Sequence, residues 1–489
     1  MQTPAHDHSY ENQSIALIGY GVTGKASAKF LLNKGAIVSV FDKSFVGENT
    51  DAAALHLKNK DAGKHNYDHK LSFHHLSETV DLTRFDTLVV SPGVNLQQGF
   101  IQRYLVNKPE NRAKVIGDIE LFARELAIQN EAKSDSHKTI KVVAVTGSNG
   151  KSTVVDMLYK SLTHSGLKVA LGGNFGTCAL SLLSELVDVI ILELSSFQLE
   201  STFSLRPDIA CILNVTSDHL DRHGDIRTYA EIKHRIFVNA KHIIFNRDDT
   251  LSYPNDLSCS YSIGVNAPLE ANPEQYLYQT HEGIFLNHGL LVSLDKLNIS
   301  SQFQLLNMQA VLACAYILKA KMAAVIESLG AYKGLPHRFE ITYQSNNATW
   351  INDSKATNPG ACLAAIESAS RQFDHIVLIA GGDAKGADAS ILSTAIQNHV
   401  DHMLLIGKDA ALFTQFNVPY EYVNSLEDAV VRANEFIQST LHTKDKVTDS
   451  IKTNIAVLLS PACASIDMFN NYQQRGDIFS QAVHKQVAV

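Results

Sequence analysis

Two hydrophobic rhythms alternate along the chain. Continuous apolar runs such as SIALIG (Ser14–Gly19), AIVSVFD (Ala36–Asp42) and TLVVSPG (Thr87–Gly93) recur between stretches like KASAKFLLNKG, whose apolar positions fall three and four apart. A run that is apolar at every position suits a strand buried on both faces. A three-to-four spacing suits a helix with one buried face, so the alternation predicts parallel sheets covered by helices. The first segment reads as a Rossmann-like sheet. A polar stretch, NEAKSDSHK (Asn130–Lys138), has the composition of a linker. The second segment opens on VVAVTGSNGKSTVVDML (Val142–Leu158) and continues through VDVIILELSS, DIACILNVTSDH and HIIFNRDD. A glycine–proline break at Gly334-Leu335-Pro336-His337 introduces a third, with strands expected at TWINDS, HIVLIAGGDAKG, HMLLIGKDA and IAVLLSPACAS. Ser439–Thr453 is polar and is expected to be a surface loop. The expected division is three α/β domains at residues 1–133, 134–333 and 334–489.

Composition narrows the class without changing that outline. A chain of 489 residues exceeds one hydrophobic core, and domains of roughly 100–200 residues again suggest about three. No apolar run reaches the roughly 18 residues of a membrane span. The polar start MQTPAHDHSYENQS lacks the charged and apolar regions of a secretory leader, so a cytoplasmic protein is expected. Six cysteines without CxxC spacing point to packed free thiols rather than zinc or disulfides. A net charge of −8 offers no basic footprint for nucleic acid.

Candidate chemistry gathers at the strand ends. Gly19-Tyr20-Gly21-Val22-Thr23-Gly24 follows a strand and opens a helix, with Asp42 ending the next strand 18 residues beyond Gly24. That pattern fits a dinucleotide, another nucleotide, or glycines that only permit tight packing. Ser91-Pro92-Gly93 belongs to the same carboxyl edge. Gly147-Ser148-Asn149-Gly150-Lys151-Ser152-Thr153 is more specific. A glycine turn at a helix mouth offers unpaired N–H donors to phosphate, with a lysine for the outer phosphates and a hydroxyl for Mg²⁺. Val145 stands where the usual P-loop has its first glycine, so this loop is a shorter variant, and ATP is the expected ligand. Glu193, ending its strand, is a Mg²⁺ candidate or a cap for Ser195-Ser196. His219 reads as a metal or substrate contact, and His223 as a solvated residue.

TGSNGKST, GGNFG (Gly172–Gly176), ELSSFQLE (Glu193–Glu200), NVTSDHLDRH (Asn214–His223), GLPHRFE (Gly334–Glu340), NDSKATNP (Asn352–Pro359) and SPACASIDMFNNYQQRG (Ser460–Gly476) together resemble the Mur ligase family, in order and through nearly the whole chain. ELSSFQLE, NDSKATNP and SPACAS resemble its D-glutamate-adding branch. The resemblance implies a Rossmann-like N-terminal domain holding UDP, a central P-loop-type ATPase domain and a Rossmann-like C-terminal domain. The activity it implies is ATP-dependent amide ligation in peptidoglycan precursor synthesis, on small-molecule substrates and by a monomer. Gly19, Val22, Thr23, Asp42, Lys43, Ser91 and Gly93 would then face the UDP part, and Asn174 and His219 the muramoyl part. Gly147 to Thr153, Asn307, Arg338 and Asp353 would contact ATP, with Phe303-Gln304 departing from relatives that often carry His-Asn there. Lys355, Thr357, Lys385, Ser465 and Tyr472 would line the amino-acid pocket. Two Mg²⁺ ions would take Ser152, Glu193, His219 and a carbamylated lysine, placed at Lys233 in YAEIK by its spacing from His219 through Tyr229. Lys151, His219 and Lys233 are thus the expected catalytic residues. Without the resemblance, the motifs also fit a folylpolyglutamate synthase-like ligase, a P-loop kinase or NTPase, or a nucleotide sensor without turnover.

Overall fold

Parallel pairing of the buried runs builds three sheets in a computed structural model of the chain, which describes residues 10–45, 70–107, 114–133, 139–269, 275–299, 302–345, 347–444 and 454–487. The first sheet contains β1 (Ser14–Ile18), β2 (Ile37–Asp42), β3 (Leu71–His75), β4 (Thr87–Val90) and β5 (Val115–Ile116) in the order β3-β2-β1-β4-β5, all parallel. Its order reverses at β1, so the turn after β1 opens into the crevice between β2 and β4 where open α/β sheets bind ligands.

The central sheet runs β14-β13-β12-β11-β10-β9-β6-β8-β7. Strands β6 (Lys141–Thr146), β7 (Val169–Gly173), β8 (Val189–Glu193), β9 (Ile209–Ile212), β10 (His242–Asn246) and β11 (Ser260–Ile263) are mutually parallel. β12 (Gln275–Gln279) joins them in parallel, and β13 (Gly283–Leu286) with β14 (Gly289–Ser293) adds an antiparallel edge that the sequence reading did not foresee. Branched residues explain the core: Val143, Val145, Ile191 and Ile209 pack on one face of the sheet with helix Lys151–His164.

The third sheet, β15-β16-β20-β17-β18-β19, has an antiparallel edge at β15 (Glu340–Gln344). β16 (Ala348–Asn352), β17 (His375–Ala380), β18 (His402–Leu405), β19 (Tyr420–Tyr422) and β20 (Ile455–Leu459) run parallel. The α/β class is therefore as expected. Two loop expectations need correction. Helix Asp118–Lys133 occupies the first part of the expected linker, and helix Leu426–Lys444 continues through Ser439. Residues 134–138 and 445–453 lie outside the described residues. All six cysteines are free, with Cys211, Cys314, Cys362 and Cys463 buried and Cys259 exposed.

Candidate active site

The turn after β6 is shaped by two glycines that no other residue replaces without strain. Gly147 has φ 156° and Gly150 φ 83°, and a Cβ on Gly150 would stand 2.7 Å from Asn307 Oδ1. Asn214, just after β9, holds the loop from beside it: its carbonyl accepts the Ser148 N–H at 2.9 Å, and its Oδ1 accepts the Asn149 N–H at 2.8 Å. The helix Lys151–His164 therefore begins with its free N–H groups aimed outward, an anion cradle by geometry. Two lysines back this cradle. Lys151 Nζ folds onto the carbonyls of Gly147 at 2.7 Å and Ser148 at 2.9 Å. Lys233 Nζ donates to the same Gly147 carbonyl at 3.0 Å and lies 4.4 Å from the Tyr229 ring centre.

Lys233 is 1% exposed, and burial, with Lys151 beside it, drives its ammonium well below 10.5 against the pull of Asp218 and Glu193. Burial here favours the free amine over the ammonium. Burial likewise lowers Lys151, opposed by Glu193 and Asp218.

Pairing of β6 with β8 sets Glu193 beside the phosphate loop, as the strand reading required. Its Oε1 accepts from Asn174 Nδ2 at 2.6 Å, while its buried Oε2 has no hydrogen-bond partner. A buried carboxylate oxygen left unpartnered beside a phosphate cradle fits a hard cation such as Mg²⁺. Among the described residues no group of three or more His, Cys, Asp or Glu side chains is gathered for a metal, so further oxygens would have to come from Ser152, phosphate or water. Ser152, Glu193, His219 and Lys233 do line one cavity of about 750 Å³. His219 adopts a left-handed backbone, φ 55°, with Nε2 3.7 Å from Asp218 Oδ2 and its ring 4.8 Å from that of Phe197. Burial lowers its pKa, with Asp218 opposing and the charges of Lys385 and Lys151 assisting, which favours the neutral ring.

The third segment closes the same cavity. Arg338, Asp353, Lys355, Thr357 and Tyr472 line it together with Asn307 of the central segment. Lys355 Nζ sits 4.2 Å from the Tyr472 ring centre, and burial together with Arg338 brings its pKa down to about 8. Lys385 and Ser465 are not among the lining residues, yet backbone bonds between Asp383 and Ala464 hold their two loops side by side. The first-segment candidates lie apart, at the carboxyl edge of β1, β2 and β4. Asp42 is held by the Tyr20 N–H at 2.7 Å and the Ser44 N–H at 2.9 Å, and Ser91 Oγ donates to the Gly19 carbonyl at 2.8 Å. Lys43 approaches Glu78 at 3.8 Å, and Val22 is 78% exposed at the helix mouth where Thr23 and, across the crevice, Gly93 also stand. A Cβ on Gly19 would stand 3.0 Å from the Ser91 Cβ, so close approach of the two turns needs that glycine.

Family comparisons cover all three segments. The "Mur ligase MurD-like, N-terminal domain" matches residues 13–111, the "Mur ligase middle domain" 145–315 and the "Mur ligase, glutamate ligase domain" 337–447. The UDP-N-acetylmuramoylalanine--D-glutamate ligase of Pseudomonas savastanoi pv. phaseolicola is 36% identical over 96% of this chain and 97% of its own length. The Haemophilus influenzae enzyme of the same name is 33% identical over 97% and 98%. The chain belongs to the Mur ligase family. Solved Mur ligases share its fold: MurF of Acinetobacter baumannii superposes with a TM-score of 0.55 at 15% identity, covering 93% of this chain and 89% of that one. MurF of Thermotoga maritima in complex with ADP gives 0.53 at 17% identity, covering 98% and 96%.

Several residues of this Mur ligase escaped the sequence reading. His223 is buried rather than solvated, with Nε2 3.0 Å from Ser196 Oγ and Nδ1 3.3 Å from Glu200. Arg222 lies over the Phe197 ring at 4.3 Å, pairs with Glu200 at 2.5 Å and donates to the carbonyls of Pro92 and Val94, joining the first segment to the second. Their signal was the run SDHLDRH itself, in which only His219 was singled out. Asp353 carries a pH signature. Burial lifts its carboxyl to about 7, while Ser460 Oγ at 2.9 Å and the Phe339 N–H at 3.1 Å pull the other way. The folded state thus keeps a proton that the unfolded chain releases near pH 4, so this stability is complete at low pH and lost as pH rises through about 7. Asp353→Asn, whose amide still accepts from Phe339, is expected to flatten that slope. Thermal unfolding from pH 5 to 8 measures it, and equal slopes in both proteins would refute the assignment.

No helix among the described residues is long and apolar enough to cross a membrane.

Proposed function

We propose that this chain joins D-glutamate to UDP-N-acetylmuramoyl-L-alanine, with ATP converted to ADP and phosphate. The observation that carries the reading is one cavity in which the phosphate loop, Glu193 and the segment Asp353–Thr357 face one another. Residues 1–133 form the UDP-binding unit in this reading, 134–333 the ATPase and 334–489 the amino-acid unit. The enzyme acts as a cytoplasmic monomer.

A carboxylate acylates nothing in water until its oxygen becomes a leaving group. The alanyl carboxylate, held near Asn174 and His219, attacks the γ-phosphorus of ATP bound by Gly147–Thr153, Asn307, Arg338 and Asp353. Lys151 swings from its own loop carbonyls to the transferring phosphoryl group, since such transfers rest on positioning and charge stabilisation. Magnesium, when bound at Ser152, Glu193, His219 and Lys233, supplies further neutralisation of phosphate charge. Lys233 enters that set as a carbamate, because an ammonium cannot ligate a cation. Lys355, Thr357, Lys385, Ser465 and Tyr472 receive D-glutamate, whose two carboxylates need donors. Its amine attacks the acyl phosphate, and phosphate leaves. The crevice of Gly19, Val22, Thr23, Asp42, Lys43, Ser91 and Gly93 anchors the UDP end.

Phosphate release from ATP and Mg²⁺ with UDP-N-acetylmuramoyl-L-alanine tests the reading, with D-glutamate, L-glutamate, L-alanine, meso-diaminopimelate and D-alanyl-D-alanine assayed separately. Release is expected with D-glutamate alone, one amide per phosphate. Release with another amino acid moves the substrate, and none with any removes the ligase.

A further inference from the structure

Asn358 ends the run that carries Asp353, Lys355 and Thr357, and it bonds in two directions. Its Oδ1 accepts the Ala361 N–H at 2.9 Å and so caps the helix Pro359–Ser370. Its Nδ2 crosses to the central domain, donating to Asn149 Oδ1 at 3.0 Å and to Asp218 Oδ2 at 3.3 Å. Asn149 Nδ2 reaches back to Asn358 Oδ1 at 3.4 Å. A primary amide both donates and accepts from one planar head, so two facing amides pair without any charge to desolvate. Asn149 is itself fixed on its own side, through its N–H to Asn214 and its Nδ2 to Thr216 Oγ1 at 3.4 Å. The Gly360 backbone sits close against side chains of the central domain beside the pair: a Cβ there would stand 2.9 Å from Thr216 Oγ1 and 3.3 Å from Asn149 Nδ2. Asn149 lies in the middle of the phosphate loop. The contact therefore connects the nucleotide cradle directly to the segment bearing Lys355 and Thr357.

We propose that Asn358 is a positioning residue of the ligation, whose amide pairing with Asn149 seats the segment Asp353–Thr357 over the phosphate loop and aligns the amino-acid pocket with the acyl phosphate. This rests on the function proposed above. Capping and pairing are separable by substitution. Asn358→Ser and Asn358→Asp both keep an oxygen to cap Ala361. Serine is too short to reach Asn149, and aspartate sets a carboxylate against Asp218. Both variants are expected to melt like the wild type and to lose about tenfold to a hundredfold in kcat/KM for D-glutamate. The loss appears mainly in the KM for D-glutamate, is larger for aspartate, and leaves the KM for the UDP substrate nearly unchanged. Small-angle scattering with a non-hydrolysable ATP analogue and the UDP substrate gives a second readout: the wild type stays compact while both variants expand. Unchanged kcat/KM in both variants overturns the proposal. So does a loss shared equally by all three substrates together with a lowered melting temperature, which marks a structural role only. A wild type that makes no amide with D-glutamate removes the proposed function, and the scattering comparison then decides the pairing by itself.

Discussion

Lys233→Met is expected to form amide about a hundredfold to a thousandfold more slowly than the wild type, the scale on which removal of one preorganised charge stabiliser is felt, with its fold intact. Methionine fills most of the volume that the lysine stem occupies beside Tyr229, and it removes a buried amine whose desolvation already opposes folding. Stability is therefore preserved or raised, and the loss is chemical. In the function proposed above this lysine is carbamylated, and its lowered pKa favours that step. Only the free amine adds carbon dioxide, forming an N–C bond and releasing a proton, and burial shifts the balance of this lysine toward the free amine. With ¹³C-bicarbonate the wild type is expected to display a carbamate carbon resonance that Lys233→Met lacks. Activity is expected to rise with added bicarbonate. An active Lys233→Met enzyme, or a wild type with no such resonance, defeats the assignment.

How much of this was legible in the sequence depends on the range over which each feature is determined. The position of Glu193 beside the phosphate loop is legible in the sequence, because parallel strands in such sheets end at one edge and the residue closes an apolar run. The P-loop variant and the three α/β segments are equally local, written in turn glycines and branched residues. The antiparallel edge β12–β14 was missed because QYLYQ, GIFL and GLLVS are short and mixed in pattern, so their pairing depends on a neighbour already in place. The helix through Ser439 reads as a loop in the sequence because its polar residues lie on a solvated face of an otherwise amphipathic element. His223 and Lys233 illustrate a different gap. Each looks like a surface residue of a polar helix, and only packing against Ser196 or Gly147 makes it buried. Lys385 and Ser465 are not among the residues lining the cavity, so the amino-acid-binding roles proposed for them rest on the motifs that carry them.

Arg475 lies within the motif SPACASIDMFNNYQQRG, on a polar helix where an arginine is ordinarily solvated. It is 1% exposed. Its Nε donates to Ser354 Oγ at 3.0 Å, one terminal nitrogen to the Cys463 carbonyl at 3.0 Å and the other to the Ser354 carbonyl at 2.8 Å. Ser354 Oγ in turn donates to the Tyr472 carbonyl at 2.8 Å, so one guanidinium joins the loop after β16, the loop after β20 and the helix Tyr472–Gln486. Burial brings its pKa down to about 10, still charged at neutral pH, with Asp467 and Asp353 among the charges that hold it up. Arg475→Ala leaves two buried carbonyls and a hydroxyl without their donor and opens a cavity. The expected cost is about 3–5 kcal/mol of the third domain's stability, since each buried polar group left unsatisfied costs roughly 1–3 kcal/mol. Arg475→Lys restores the charge but not the three-way fork, and recovers less than half of that. Because Lys355 follows Ser354 directly, the KM for the amino acid rises in Arg475→Lys even under conditions where the protein is fully folded. Denaturant unfolding together with KM measurement tests both halves. A cost under about 1 kcal/mol for Arg475→Ala, the scale of an ordinary surface change, would show that the fork holds nothing the helix packing does not already hold.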